Sequence, residues 1–252
     1  NEHVVRIFWG QAGGATGVTY SANATTTLPS YQAIVLSIGD LNQDGFADIV
    51  TMENYYSGSK LVIFWAQPGG VYGVTYSATA QTIVTPNRSQ PHSVAIADLN
   101  GDSRPELITA HDVAGAEIYW GLAGGPYGVQ YSTANTTYLP AYQSLAVRVA
   151  DINNDTNFDV IVGARRYMRI FWGPLPINST ATISWTLPVF QGDTYFTEFS
   201  LSDVNGDGAV DLVHSSSAYN LFTRIYLHNG LPYPSTPSFS LTPRGHTMSK
   251  VS

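Results

Sequence analysis

The chain has 252 residues, a formal net charge of −7 and 12% charged residues, about half the usual ~25%. With two lysines, Lys60 and Lys250, and scattered arginines, the composition argues against a nucleic-acid-binding surface. The absence of cysteine excludes disulfides and Cys-based zinc or redox sites, and no apolar run reaches the ~18 residues of a membrane span.

Aromatic residues at 12%, together with abundant Thr, Ser, Val and Gly, favour strands and turns over helices. The length suits one large all-β domain. The chain starts at Asn1 without a visible signal sequence, so its N-terminus is expected to be processed or cut.

In chain order, Val4–Trp9 and Val18–Leu28 read as two strands, the outer half of a unit over 1–29. A full unit follows over 30–86. Its strands are expected at Ala33–Ile38, Ala47–Met52, Leu61–Trp65 and Val74–Val84, the last Thr-rich as an outer edge strand should be. The same order recurs over 87–140, 141–188 and 189–243, and 244–252 reads as the start of a next strand or a closing strand.

Three markers keep the phase. Ile-Phe-Trp-Gly at 7–10 returns as 63–66, 118–121 and 170–173, and degraded at 225–228. Gly-Gly-x-x-Gly-Val-x-Tyr-Ser occupies 13–21, 69–77 and 124–132, and units end at Pro29, Pro86, Pro140, Pro188 and Pro243. A period of ~50 residues made of short strands points to a propeller array.

Twelve of the eighteen acidic residues fall in four nine-residue segments that begin at Asp40, Asp98, Asp151 and Asp203. Each carries oxygen side chains at positions 1, 3, 5 and 9. The first set is Asp40, Asn42, Asp44 and Asp48, with the Phe46 carbonyl at position 7. The second is Asp98, Asn100, Asp102 and Glu106, with Arg104. The third is Asp151, Asn153, Asp155 and Asp159, with Asn157; the fourth is Asp203, Asn205, Asp207 and Asp211, with Ala209.

Three carboxylates in nine residues repel one another unless a cation sits among them. Calcium, a hard ion taking 6–8 oxygens in flexible geometry, suits the set. Position 12 is Thr51, Thr109, Val162 or His214 and never Glu, and strand-like runs flank the loops, so these are not EF-hands. The plainer reading, a hairpin turn, weakens with each repetition of the spacing. Gly45 and Gly208 at position 6 ease a left-handed turn, whereas Ser103 and Thr156 are expected to be strained there.

The Asp-x-Asn-x-Asp-Gly-x-x-Asp loop inside a strand repeat resembles the FG-GAP (VCBS-type) repeats of integrin α-subunit propellers, over nearly the whole chain. The resemblance implies an all-β β-propeller of four-stranded antiparallel blades. It places a calcium loop between the first and second strands of each blade, with about four Ca²⁺ ions, one per complete blade. Phe-Trp-Gly and Leu-Pro stand where those repeats carry Phe-Gly and Gly-Ala-Pro. Related propellers have about seven blades, so the chain is expected to be a fragment of such a ring. A small ring closed by its two ends, or a head-to-tail assembly through open blade edges, are the other outcomes.

Trp9, Trp65, Trp120 and Trp172 share one repeat position. They read as buried packing between blades or as stacking platforms for sugars. Trp185 lies outside the pattern and reads as a surface residue. His111 beside Asp112 reads as an exposed loop histidine, or as an acid–base pair. Arg165, Arg166 and Arg169 form the one basic cluster, a solvated loop or an anion contact. Sequons at Asn23, Asn87, Asn135 and Asn178 are expected to carry glycans; a fifth, Asn154, sits inside the third loop and is expected bare.

These features lead to a non-enzymatic, calcium-stabilised extracellular protein, secreted or at the cell surface, for adhesion, recognition or structural assembly. Its partner is expected to be a protein or glycan ligand, or further copies of the chain. The alternatives are a propeller lectin and a propeller-type polysaccharide lyase or hydrolase. A cluster of Glu53, Asp112, Glu117 and a histidine would favour the last.

Overall fold

The computed structural model describes residues 4–13, 17–55, 58–86, 91–165, 167–176, 185–188, 196–216, 223–228, 230, 233, 237–241 and 249–250. The described chain is all-β, without helix. A two-stranded sheet opens it, β1 (Val4–Ala12) against β2 (Val18–Pro29). A four-stranded antiparallel sheet follows: β3 (Ala33–Gly39), β4 (Asp48–Tyr55), β5 (Gly58–Pro68) and β6 (Val74–Val84), paired in that order.

The third sheet holds β7 (Pro91–Ala97), β8 (Glu106–His111) and β9 (Gly115–Tyr119). Between β9 and the outer strand, β10 (Leu122–Ala123) and β11 (Val129–Gln130) pair with each other; β12 (Thr136–Leu139) then completes the sheet. The fourth holds β13 (Ser144–Ala150), β14 (Asp159–Ala164), β15 (Tyr167–Phe171) and β16 (Trp185–Pro188). The last has five strands: β17 (Phe196–Ser202), β18 (Asp211–Ser216), β19 (Thr223–Tyr226), β20 (Phe239–Leu241) and β21 (Ser249–Lys250). Among the described residues β1 pairs with β2 alone, and β21 adds to the outer edge of β20.

The sequence sets the strand roles. Second strands are apolar on both faces, and β8 and β14 are buried at every residue. First strands each carry a register shift near their start, at 33/35, 91/93, 144/146 and 196/198, a bulge that bends the chain as it enters the sheet. The third and fourth strands of the second sheet run past the expected Leu61–Trp65. Beyond a shift at 64/66 they form an arm that pairs Ala66–Pro68 with Val74–Tyr76.

Core clusters lie between successive sheets. Val50, Met52, Ile63 and Trp65 of the second sheet meet Val94, Leu107 and Tyr119 of the third. Ile108, Ala110 and Ile118 meet Val147, Val160 and Phe171 in the next junction. Small residues let the first strands approach: a Cβ on Gly39 would sit 3.2 Å from Ile96. Each fully buried Leu, Ile or Phe contributes about 1.5–3 kcal/mol by leaving water. Phe64→Ala, at a site with no exposure, is the kind of change that costs about 3–5 kcal/mol.

The tryptophans are packing residues where the structure describes them. Trp65 and Trp120 are buried, and each indole N–H donates to a threonine on the fourth strand, Thr82 at 2.8 Å and Thr137 at 2.9 Å. Trp9 donates likewise to Thr26 at 2.9 Å. Trp172 is half-buried against the core of the fourth and fifth sheets. The side chain of Trp185 lies outside the described residues. The Gly-Gly arm reaches back over the preceding sheet: Tyr72 stacks on Trp9 at 5.0 Å and Tyr127 on Trp65 at 4.7 Å.

Candidate metal centre

Each acidic segment joins the first and second strands of its sheet and folds the same way. The position-1 carboxylate turns inward and accepts main-chain N–H groups. Asp40 accepts from Asp44 at 3.1 Å and Gly45 at 2.9 Å. Asp98 accepts from Asp102 and Ser103, Asp151 from Asp155 and Thr156, and Asp203 from Asp207 and Gly208. The position-3 amide oxygen accepts from the position-5 N–H, and the position-5 carboxylate from the position-7 N–H, as in Asp207 to Ala209 at 2.8 Å. Side chains 1, 3 and 5 thus converge around one turn.

The turn is left-handed at two places. Position 4 has φ of 58° at Gln43, 72° at Gly101, 58° at Asn154 and 78° at Gly206. Position 6 has φ of 87° at Gly45, 66° at Ser103, 75° at Thr156 and 87° at Gly208. Ser103 and Thr156 thus adopt a conformation that costs a side chain of order 1–3 kcal/mol. In the sequence the demand at position 4 shows only at Gly101 and Gly206, since Gln43 and Asn154 fill the other two places.

Position 9 does more than a ligand would. Asp48, Glu106, Asp159 and Asp211 are fully buried. Each spans two main-chain N–H groups, one at the loop start and one at the end of the third strand. Asp48 accepts from Leu41 at 2.9 Å and Ala66 at 2.8 Å, and Asp211 from Val204 at 2.9 Å and His228 at 2.8 Å. Burial pushes the Asp48 carboxyl up to about 6, against the lowering pull of those two bonds; Asp44 and Asp40 push it further. Glu106 is pushed up to about 7 by burial, with Asp102 and Asp98 adding to it. Asp159 is also raised, by burial first.

Among the described residues no three His, Asp or Glu side chains gather closely enough to hold a metal by themselves. The loops offer a mixed set instead: the carboxylates of positions 1 and 5, an Asn amide and main-chain carbonyls. These are the hard, uncharged and anionic oxygens that calcium takes. Arg104 already pairs with Asp102 at 2.7 Å, so the second loop carries a competing cation of its own.

The other candidates take structural parts. His111 is fully buried, not an exposed loop residue: its Nε2 bonds Thr109 Oγ1 at 3.0 Å. Its placement corrects the expectation, because β8 runs one residue further than its apolar run. Asp112 is held by Arg165 through Nε at 3.1 Å and Nη2 at 2.5 Å, across two sheets. Glu53 accepts from the Tyr31 N–H at 3.0 Å, and Glu117 from the Tyr119 hydroxyl at 2.8 Å. Arg169 lies over the Tyr167 ring at 4.3 Å, and Arg166 lies outside the described residues. Asn135 is half-buried in the turn before β12. Asn87 and Asn178, and the side chain of Asn23, lie outside the described residues.

Four sheets in repeat, each carrying one acidic loop, define an all-β repeat protein. Within it, residues 98–162 match the family model of the FG-GAP-like repeat. No curated protein matches the chain in sequence. Among solved structures, the V. cholerae biofilm matrix protein Bap1 is similar at 16% identity and a TM-score of 0.50; the match covers 93% of this chain and 33% of Bap1. The Photorhabdus luminescens Tc holotoxin pore matches at 16% identity and a TM-score of 0.39, over 94% of this chain and 13% of that one. The chain therefore spans about a third of Bap1, and the likeness is one of fold.

Proposed function

We propose that this chain is a calcium-stabilised β-propeller segment that serves adhesion, recognition or assembly outside the cell and has no catalytic role. The observation that carries this reading is the loop fold repeated at Asp40, Asp98, Asp151 and Asp203, each turning positions 1, 3 and 5 inward. The donor set fits calcium. Asp40, Asn42, Asp44 and Asp48, with the Phe46 carbonyl, would hold the first ion; their equivalents would hold the others. Position 9 has further lone pairs beyond the two it uses. Bound calcium would supply the positive charge that these partly desolvated carboxylates lack.

The repeated sheets support the propeller reading, each packing on the next through an apolar face. A non-catalytic role is supported by Glu53, Asp112 and Glu117, which are engaged separately with Tyr31, Arg165 and Tyr119. The burial of Trp65 and Trp120 removes two of the four sugar platforms a lectin would use. An extracellular place is in keeping with weak calcium sites, which extracellular calcium saturates, and with the fold shared with a biofilm matrix protein. Glycans on Asn23, Asn87, Asn135 and Asn178, and a protein or glycan partner, belong to the same reading.

The test is thermal unfolding with and without chelator. EDTA is expected to lower the melting temperature and added calcium to restore it, by mass action on the native state. Asp44→Ala is expected to remove one ion while the other loops still bind. An unchanged melting curve after confirmed chelation overturns the structural role of calcium.

A further inference from the structure

Among the described residues, three of the four loops are gripped by a tyrosine. The Tyr76 hydroxyl donates to the Ala47 carbonyl at 2.6 Å, Tyr131 to Pro105 at 2.7 Å and Tyr233 to Val210 at 2.5 Å. Those carbonyls all stand at position 8, between the position-7 carbonyl and the position-9 carboxylate. The rings lie elsewhere. Tyr131 packs in the cluster of Trp65, Val84 and Val94, between the second and third sheets. Tyr233 packs with Met168 and Ile170, between the fourth and fifth, and Tyr76 against Val5 and Phe64, between the first and second.

Each tyrosine therefore joins its loop to the core shared with the preceding sheet. Burial, and then the nearby carboxylates, hold the Tyr131 and Tyr233 hydroxyls above their ordinary range, so they stay protonated. Tyr20 has the same place in the repeat, but its sheet contains no acidic loop among the described residues. It is 70% exposed, against 8% for Tyr131. For the third loop no tyrosine bond to position 8 is found among the described residues; its Phe158 carbonyl faces Gly173, where a Cβ would sit 2.5 Å from the oxygen.

We propose that Tyr76, Tyr131 and Tyr233 are positioning residues for ion binding, which set the position-8 peptide and couple each loop's occupancy to packing against the preceding sheet. The inference rests on the calcium reading above. With the peptide fixed, the carbonyl before it and the carboxylate after it are oriented before the ion arrives, and less ordering is left to be done on binding. By linkage, an ion in the loop strengthens the junction as much as the junction strengthens the ion. Loss of one neutral hydrogen bond corresponds to about a fivefold loss of affinity.

The test is a calcium titration followed by the amide signals of the loop glycines. Gly45 reports the first loop, Gly101 the second, and Gly206 and Gly208 the fourth. Tyr131→Phe keeps the ring and is expected to raise the Gly101 midpoint about fivefold while Gly45 and Gly208 stay put. Tyr76→Phe is expected to move Gly45 alone. Tyr127→Phe is the control, because Tyr127 stacks on Trp65 in the same junction and its hydroxyl has no loop carbonyl as partner among the described residues. A Gly101 midpoint unmoved by Tyr131→Phe, or moved equally by Tyr127→Phe, overturns the proposal. If no glycine amide of the unsubstituted protein responds to calcium, the ion reading itself falls and takes this inference with it.

Discussion

The third loop, 151–159, and the fourth, 203–211, reach one shape by different routes. Both hold the same inward bonds: Thr156 N–H to Asp151 at 2.9 Å and Gly208 N–H to Asp203 at 2.8 Å, for example. The fourth turns on Gly206 and Gly208, and gains a further bond from the Gly206 N–H to Asp203 at 2.7 Å. The third turns on Asn154 and Thr156, the latter β-branched at a φ of 75°. The hydrogen bonds therefore dictate the loop, and glycine only lowers its cost. The third loop is the strained copy and the fourth the relaxed one.

The largest effect tests what the two loops share. Asp211→Ala would strand the N–H groups of Val204 and His228, and Asp159→Ala those of Ile152 and Gly173. Each is expected to cost about 3 kcal/mol or more, in chelator as well as in calcium, because the bonds need no ion. Urea unfolding measures it, and a loss under about 1 kcal/mol at either site would break the parallel.

A second difference lies in the strands behind the loops. His214 of β18 stands where β14 has Val162, and burial holds it down to about 4. A histidine depressed in the folded state takes up its proton more readily when unfolded. Its contribution is complete above about pH 6.5 and is lost as pH falls toward 4. The loss is of order 2–3 kcal/mol. His214→Val is expected to flatten that limb of the pH–stability curve in saturating calcium; an unaltered limb would assign the acid sensitivity elsewhere.

Exchanging the turn residues gives smaller shifts. A Cβ on Gly208 meets nothing within 4 Å, so Gly208→Thr costs backbone strain alone, about 1–2 kcal/mol. Thr156→Gly is expected to gain less than about 1 kcal/mol, since relief of strain is offset by a freer unfolded chain. Differential scanning calorimetry on the pair resolves both signs. Equal and opposite shifts would show that the unfolded chain contributes nothing.

Much of this was legible from the sequence. The spacing of Asp and Asn marked the loops, the Ile-Phe-Trp marker gave the third strands, and Ser103 and Thr156 announced their strain. The second part of position 9 was hidden, because an aspartate that ligates and one that accepts two main-chain bonds are spelled alike. Tyr76 and Tyr131 stood in plain view within the Gly-Gly marker, but a hydroxyl's target 29 or 26 residues away leaves no periodic trace. Tyr233 lies outside that marker altogether. The Asp112–Arg165 pair joins turns of two sheets, a relation set by packing and not by local pattern.

The indole–threonine bond is a ruler laid along the repeat. In three sheets the partner threonine comes 17 residues after the tryptophan, and it sits opposite the isoleucine two places before it: Thr26 with Ile7, Thr82 with Ile63, Thr137 with Ile118. A one-residue slip would turn every side chain of the outer strand to the wrong face, so the bond locks the pairing from within. The chain between its ends is then free of that duty. The arm's tip at Val71, 92% exposed, is a mounting point where foreign sequence can be displayed while the lock beneath keeps the sheet in step.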